Sequence, residues 1–229
     1  DAGQFDEAAE YFQQVSSKYP KSDIKPDALT MYGQSVLENK DYQSALIAFT
    51  AVTESYRTDN SYPAALYQRG YCEFKLDRLE DAARSAAAFI KAFPDHALAP
   101  EALLVISETL YRLDDYEGSK QHYLSLLEKY PQNPKIAQVL YGVGWSSFKT
   151  GDYDRAISVF SMLTERHPKS ELAPDAAYRI GDCYYASGRF SQAVAAYANM
   201  LKRYPSVSFA DRAAFQTGQA FFRSEEYAK

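Results

Sequence analysis

Residues 174–210 read PDAAYRIGDCYYASGRFSQAVAAYANMLKRYPSVSFA, and this arrangement of small, aromatic and proline residues recurs along the whole chain. The period is 37 residues and holds without insertion or deletion. One small-residue position reads Gly33, Gly70, Ser107, Gly144, Gly181 and Gly218. A second reads Ala8, Ala45, Ala82, Ser119, Ala156 and Ala193. The lone Pro174 and the pair Tyr204-Pro205 return in the same way, so four positions together identify a tandem repeat.

Each period carries the signals of two helices joined by a short turn. Pro174 suits the first turn of a helix, and the following Asp175 complements the positive end of the helix dipole. Gly188 supplies the left-handed residue that ends this first helix, and Pro205 stops the second. The small residues of the two helices are predicted to mark the point where their backbones cross closely. The repeat is therefore a helix–turn–helix.

Composition and charge narrow the possible functions. The chain has 229 residues, a hydrophobic fraction of 46% and a formal net charge of −5. An acidic chain offers no basic face to nucleic acid or to an anionic membrane surface, so no nucleic-acid partner is predicted. No apolar run approaches the length of about 18 residues that a membrane helix needs, so no membrane insertion is predicted within this segment.

The repeat resembles the tetratricopeptide repeat, on the residues Ala177-Tyr178, Gly181, Tyr184-Tyr185, Gly188, Ala193 and Tyr197. The family's unit has 34 residues, and this one is similar but three residues longer in the loop after its last proline. The resemblance implies an all-α fold, a right-handed superhelix (α-solenoid) of about twelve antiparallel helices. It is specific for the fold and says little about function.

The register divides the chain into a single array over residues 1–229. The predicted segments are a lone second helix at 5–19, full repeats at 26–62, 63–99, 100–136, 137–173 and 174–210, and a lone first helix at 211–223. Because the array starts and stops at the same turn, we expect it to be part of a longer one. Phe215, Phe221 and Phe222 on the last helix are expected to be exposed apolar surface.

The sequence predicts no catalytic, cofactor or metal site, and so no enzyme. His96, His122 and His167 occupy three different positions of the repeat, which brings no two of them together. Cys72 and Cys183 are three periods apart and therefore on the order of 25 Å or more from each other, far beyond disulfide reach. Both are predicted to be small, buried, free residues.

The resemblance implies a concave surface lined by the first helix of each repeat, where members of the family bind their ligands. Carried over position by position, this surface is predicted to be an aromatic groove flanked by basic residues. Its predicted members are Tyr67, Tyr71, Phe74, Lys75, Tyr111, Arg112, Tyr141, Trp145, Lys149, Tyr178, Asp182 and Tyr185. Tyrosine and tryptophan suit recognition because they combine apolar area with a polar tip.

A purely structural interpretation of the same residues stays open. The row containing Phe74 and Tyr185 is expected to lie half in the core. Lys75 and Lys149 follow Tyr71 and Trp145 by four residues, so each is predicted to lie over a ring of its own helix. Arg112 follows Glu108 by four residues and is predicted to pair with it.

The favoured function is a protein–protein interaction scaffold that holds an extended peptide or a partner helix in the aromatic groove. Two alternatives remain: a scaffold that handles polysaccharides, whose sugar rings also stack on aromatic side chains, and the regulatory segment of a larger enzyme. In style the repeats resemble those of bacterial envelope proteins, such as outer-membrane-assembly lipoproteins and Tol–Pal partners. That resemblance implies a periplasmic or envelope-associated location, with a cytoplasmic one as the alternative. The oligomeric state is not specified.

Overall fold

A computed structural model describes the backbone of residues 2–227 and the side chains of residues 3–224. Within this part of the chain there are twelve α-helices and no strand, which confirms the all-α prediction. The helices are α1 (Ala2–Lys18), α2 (Lys25–Glu38), α3 (Tyr42–Ser55), α4 (Tyr62–Lys75), α5 (Leu79–Ala92), α6 (Ala99–Arg112), α7 (Tyr116–Lys129), α8 (Ile136–Lys149), α9 (Tyr153–Arg166), α10 (Ala173–Ala186), α11 (Phe190–Arg203) and α12 (Ala210–Tyr227).

The helices form two compact units. The first ends at Asp114 and contains α1 to α6, and the second begins at Asp115 and contains α7 to α12. Within each unit every helix packs against the next one along the chain, and α4 also contacts α6. This consecutive packing is the arrangement of a helical repeat protein, in which each element buries its apolar face against its neighbours.

Helix starts follow the local chemistry of the sequence. Pro63 and Pro174 lie in the first turns of α4 and α10, as predicted from their fixed φ. Asp41 and Asp152 act as N-caps of α3 and α9, where their carboxylates accept hydrogen bonds from the backbone N–H groups of Ser44 and Arg155. The first and second helices of a repeat are therefore started by different residues.

One backbone position in every turn between paired helices is left-handed. Gly151 and Gly188 have φ values of 77° and 75°, which confirms the predicted role of glycine there. Lys40, Asp77 and Asp114 occupy the equivalent position in the other repeats with φ values near 61°, 62° and 60°. Non-glycine residues in this region carry a steric cost of about 1–2 kcal/mol, so three turns of the array are strained.

Gly151→Ala is expected to lower the free energy of unfolding by about 1 kcal/mol, while Lys40→Gly is expected to raise it or leave it unchanged. A Cβ at Gly151 would meet no atom within 4 Å, so the loss comes from the backbone conformation alone. Urea denaturation of both variants measures the difference. A Gly151→Ala chain as stable as its parent would show that the left-handed turn is not retained in solution.

The small residues of the five full repeats are buried, but the predicted reason for the glycine is wrong in three of these repeats. A Cβ at Gly144 would lie 2.4 Å from the ring of Phe160, and one at Gly181 would lie 2.3 Å from the ring of Tyr197. Gly33 faces an aromatic ring in the same way. The glycine therefore accommodates an aromatic side chain sixteen residues further on, not the backbone of the second helix.

The second full repeat shows the close backbone crossing that was predicted for all of them. Ala86 occupies the position at which the other full repeats have an aromatic residue. A Cβ at Gly70 would lie 3.4 Å from the backbone nitrogen of Ala86. Ala82 on the same helix is fully buried. Helices approach directly where the aromatic side chain is absent, and the ring fills the space where it is present.

Several further predictions are met by the described residues. Cys72 and Cys183 are buried and free, and burial raises the pKa of each thiol to about 12. Phe215, Phe221 and Phe222 are exposed on α12. Within the described residues no helix has both the length and the apolar character required to cross a membrane.

Candidate partner-binding surfaces

The predicted groove residues all lie on the first helices of their repeats and divide equally between the two units. The first-unit surface comprises Tyr67, Tyr71, Phe74 and Lys75 on α4 with Tyr111 and Arg112 on α6. The second-unit surface comprises Tyr141, Trp145 and Lys149 on α8 with Tyr178, Asp182 and Tyr185 on α10. Each surface is built by two neighbouring first helices of its own unit.

The first-unit surface is centred on two stacked tyrosines. The ring centroids of Tyr67 and Tyr71 are 6.4 Å apart with an angle of 26° between the planes. Tyr67 also packs edge-on against the buried Phe89 at 6.0 Å. Burial, with the charge of Glu101, raises the pKa of the Tyr67 hydroxyl above its ordinary value. Both tyrosines are half-buried. Phe74 packs beside them and is itself partly buried, as expected for its position in the repeat.

Two cations cover the outer end of the first-unit surface. The ammonium of Lys75 lies 5.2 Å from the centroid of Tyr71, which confirms the prediction that this lysine covers a ring of its own helix. The guanidinium of Arg112 lies 5.3 Å from the centroid of Phe74 and forms an ion pair with Asp77. The turn after α4 brings the Asp77 carboxylate to the end of α6, so Arg112 also pairs between repeats; its pairing with Glu108 within α6 stays a prediction.

In the second-unit surface the aromatic side chains are tied to charged groups of α10. The hydroxyl of Tyr141 donates a hydrogen bond to the carboxylate of Asp175. The guanidinium of Arg179 lies 4.4 Å from the ring centroid of Trp145 and 5.2 Å from that of Tyr178. Arg179 also binds both oxygens of Asp175, each at 3.3 Å. These contacts fix the orientation of Tyr141 and Trp145.

Asp182 extends the same network towards the core of the second unit. Its carboxylate accepts hydrogen bonds from Arg179 at 2.9 Å and from the hydroxyl of Tyr197 at 2.6 Å. Burial raises the pKa of Asp182, while the Tyr197 hydroxyl and the Arg179 guanidinium act in the opposite direction. Burial and the bond to Asp175 raise the pKa of Tyr141 to about 12. Asp182 therefore helps to hold Arg179 in place.

Two residues of the second-unit surface differ from their predicted roles. Tyr178 is only 8% exposed, with its ring 5.4 Å from that of Tyr197, and it belongs to the core. Lys149 was predicted to cover Trp145, but its ammonium lies 5.5 Å from the centroid of Tyr116 on α7. The guanidinium of Arg179, and not the ammonium of Lys149, lies over the indole of Trp145.

Sequence reasoning did not identify Arg179 as a site residue and gave Asp175 only a helix-dipole role. A signal was present, because Asp175 and Asp182 flank Arg179 at spacings of four and three residues on one helix face. Stacking of Arg179 on Trp145 could not be found in this way. It depends on packing between two repeats.

The part of the chain that the structure describes contains no group of three or more histidine, cysteine, aspartate or glutamate side chains that could hold a metal ion. The arrangement of both surfaces is one of half-buried rings, hydroxyl groups and salt-bridged side chains. Such a surface can bind by stacking, by hydrogen bonds and by charge.

Family comparisons match almost the whole length of the chain. Models of the tetratricopeptide repeat match residues 67–134, 104–171, 141–208 and 178–229, and a second model of that description matches residues 1–70. Comparison with curated protein sequences gives no match.

Solved structures share the fold at low sequence identity. YrrB, described as a tetratricopeptide repeat protein with an unusual peptide-binding site, superimposes with a TM-score of 0.72 and 17% identity over 90% of this chain and 98% of its own. MamA gives 0.69 and 17% over 80% and 94%. A tetratricopeptide repeat protein from Parabacteroides merdae gives 0.66 and 19% over 98% and 87%. Identities of this size establish the fold alone.

Proposed function

The chain belongs to the tetratricopeptide repeat family, and on that basis we propose that it is a scaffold that binds an extended peptide or a helix of a protein partner. The binding sites are the first-unit surface and the second-unit surface. The observation that carries the proposal is the fixed pair Tyr141 and Trp145, held by Asp175 and Arg179 before any partner arrives. Side chains that are already ordered lose little entropy on binding.

The chemistry of the second-unit surface favours a peptide over a polysaccharide. Sugar rings bind by stacking on an open aromatic face, and the guanidinium of Arg179 lies 4.4 Å from the indole centroid of Trp145. A peptide can use the same surface through backbone hydrogen bonds to the polar groups of Asp175 and Arg179 and through apolar contacts with the ring edges. The relative YrrB is described as having a peptide-binding site, which supports this choice.

Tyr141→Ala combined with Trp145→Ala is expected to weaken binding of a selected peptide by roughly 30-fold, as for the loss of a binding hot spot of about 2 kcal/mol. Peptides are first selected from a random library against the parent chain, and dissociation constants are then measured by titration. Ile47→Ala is the matched control, because Ile47 is 64% exposed on a second helix, outside both surfaces.

Helical content is measured in parallel by circular dichroism, so that a loss of binding is not confused with a loss of fold. Unchanged affinity in a fully helical double variant would remove the second-unit surface from the proposal. Failure to select any peptide against the parent chain would count against peptide binding itself.

We also propose a bacterial envelope location, supported by the resemblance of the repeats to those of envelope proteins. The protein, expressed from its own gene in its natural host and fractionated, is expected in the periplasmic or membrane-associated fraction. Recovery only in the cytoplasm would refute this proposal without affecting the binding surfaces.

A further inference from the structure

The second unit contains an occupied subsite for a guanidinium group. Arg179 stacks on Trp145 with a distance of 4.4 Å from the guanidinium carbon to the ring centroid. Its Nε and one Nη atom each lie 3.3 Å from an oxygen of Asp175. An aromatic face beside a bidentate carboxylate is the environment that a guanidinium prefers. In this unit the chain supplies the guanidinium itself.

The first unit has the same subsite without the arginine. Two repeats earlier in the sequence, Tyr71 occupies the position equivalent to Trp145 and Glu101 the position equivalent to Asp175. The position equivalent to Arg179 is occupied by Val105. The first unit therefore has an aromatic ring and a carboxylate at these positions, as the second unit does, but it has no arginine between them. Val105 is 7% exposed and packs in one apolar cluster with Tyr71, and it carries no group that could pair with the Glu101 carboxylate.

The carboxylate of Glu101 is not fully hydrogen-bonded by the residues around it. Its Oε2 atom is buried and has no hydrogen-bond partner in the described part of the chain. The carboxylate also lies close enough to Tyr67 to contribute to the raised pKa of that hydroxyl. A buried carboxylate oxygen without a donor is costly, and a charged donor that reaches it is correspondingly favourable.

We propose that the first-unit surface binds the side chain of an arginine from a partner peptide, with its guanidinium over Tyr71 and against the carboxylate of Glu101. This inference rests on the proposed peptide-binding function and names the residue that the peptide supplies. Arginine fits better than lysine because its planar fork reaches both carboxylate oxygens while its face stacks on the ring. The internal contacts of Arg179 are the template for the geometry.

The ammonium of Lys75 lies over Tyr71, at the position proposed for the guanidinium of the peptide. It lies 5.2 Å from the centroid of Tyr71 and 5.9 Å from that of Phe74, and the residue is exposed. The equivalent Lys149 lies over Tyr116, which leaves Trp145 to Arg179. A solvent-exposed lysine is displaced at little cost. Lys75→Met is therefore expected to increase the affinity for an arginine peptide.

The test uses three blocked pentapeptides, acetyl-Ala-Ala-X-Ala-Ala-amide, in which X is arginine, lysine or citrulline. Each is titrated into the full chain while backbone amide signals are followed by nuclear magnetic resonance. The arginine peptide is expected to shift signals around Tyr71 and Glu101 and to bind at least about tenfold more tightly than the citrulline peptide, which lacks the charge. Lysine is expected to be intermediate.

Two variants of the first unit separate the subsite from the rest of the surface. Glu101→Gln keeps the shape and removes the charge, so the arginine and citrulline peptides should then bind alike. Glu80→Gln is the matched control, since Glu80 is an exposed carboxylate on α5. Val105→Arg should fill the subsite from within, as Arg179 does, and abolish the shifts.

The reverse exchange in the second unit gives an independent readout. Arg179→Val should open a second subsite, so that the arginine peptide newly shifts the amide of Trp145. If none of the pentapeptides shifts the first-unit amides, or if citrulline binds as well as arginine, the inference is refuted. Peptides selected from the library would still bind in that case, so the failure is distinguishable from failure of the proposed function.

Discussion

Gly144→Ala is expected to lower the free energy of unfolding by about 1–3 kcal/mol, because adding a methyl group to a filled core usually costs this much. The added Cβ would lie 2.4 Å from Cε1 and 2.6 Å from Cζ of Phe160. Phe160 is fully buried, so its ring cannot turn towards solvent to relieve the contact. Gly144→Leu is expected to cost more, because its branched side chain extends further into the same space.

Gly218→Ala is the matched control for this prediction. Gly218 occupies the same position of the repeat, but a Cβ there would meet no atom within 4 Å. The change should therefore show only the helix propensity of alanine, a gain of about 1 kcal/mol. Chemical denaturation of the two variants should give shifts of opposite sign. Stabilisation by both substitutions would contradict the packing of Phe160 on Gly144.

Arg179→Met is expected to lower the free energy of unfolding by about 1–3 kcal/mol near neutral pH, since it leaves two partly buried carboxylates without their cation. The side chain of Arg179 is 28% exposed and that of Asp182 is 18% exposed, so solvent screening is incomplete. Arg84→Met is the control. Its ion pair with Asp81 is 73% and 43% exposed, and its removal should have little effect.

The pH dependence identifies the cause of this loss. Burial raises the pKa of Asp182 and Arg179 opposes the rise, so the variant should have a still higher folded-state pKa. A raised pKa means that the folded state retains a proton that the unfolded chain releases, and stability falls as the pH rises through this interval. The difference between parent and variant should therefore shrink as the pH is lowered from 7 into the range in which Asp182 binds a proton in both folded chains. A difference that does not change with pH would assign the loss to packing instead.

The sequence predicted the elements of the fold because each depends on local chemistry. Pro174 at a helix start, Gly188 in a left-handed turn and the fixed spacing of small residues act within one or two turns of chain. The role of Gly144 was predicted less well. The aromatic residue that fills its space is sixteen positions away on another helix, and no local pattern links the two.

The candidate surfaces were predicted at the level of helix faces but not of contacts. Family positions placed Tyr71 and Trp145 correctly on first helices. They could not show that Arg179 lies over Trp145 while Lys149 lies over Tyr116, because both contacts depend on packing between helices. Nor could they show the unpartnered oxygen of Glu101, which becomes evident only from burial.

The most direct test of the central claim is a map of amide signals perturbed by a library-selected peptide on the full chain. Partner binding through the first helices predicts shifts on α4, α6, α8 or α10, centred on Tyr71 or Trp145. Shifts confined to the second helices α3, α5, α7, α9 and α11 would place the partner away from both candidate surfaces and contradict the account.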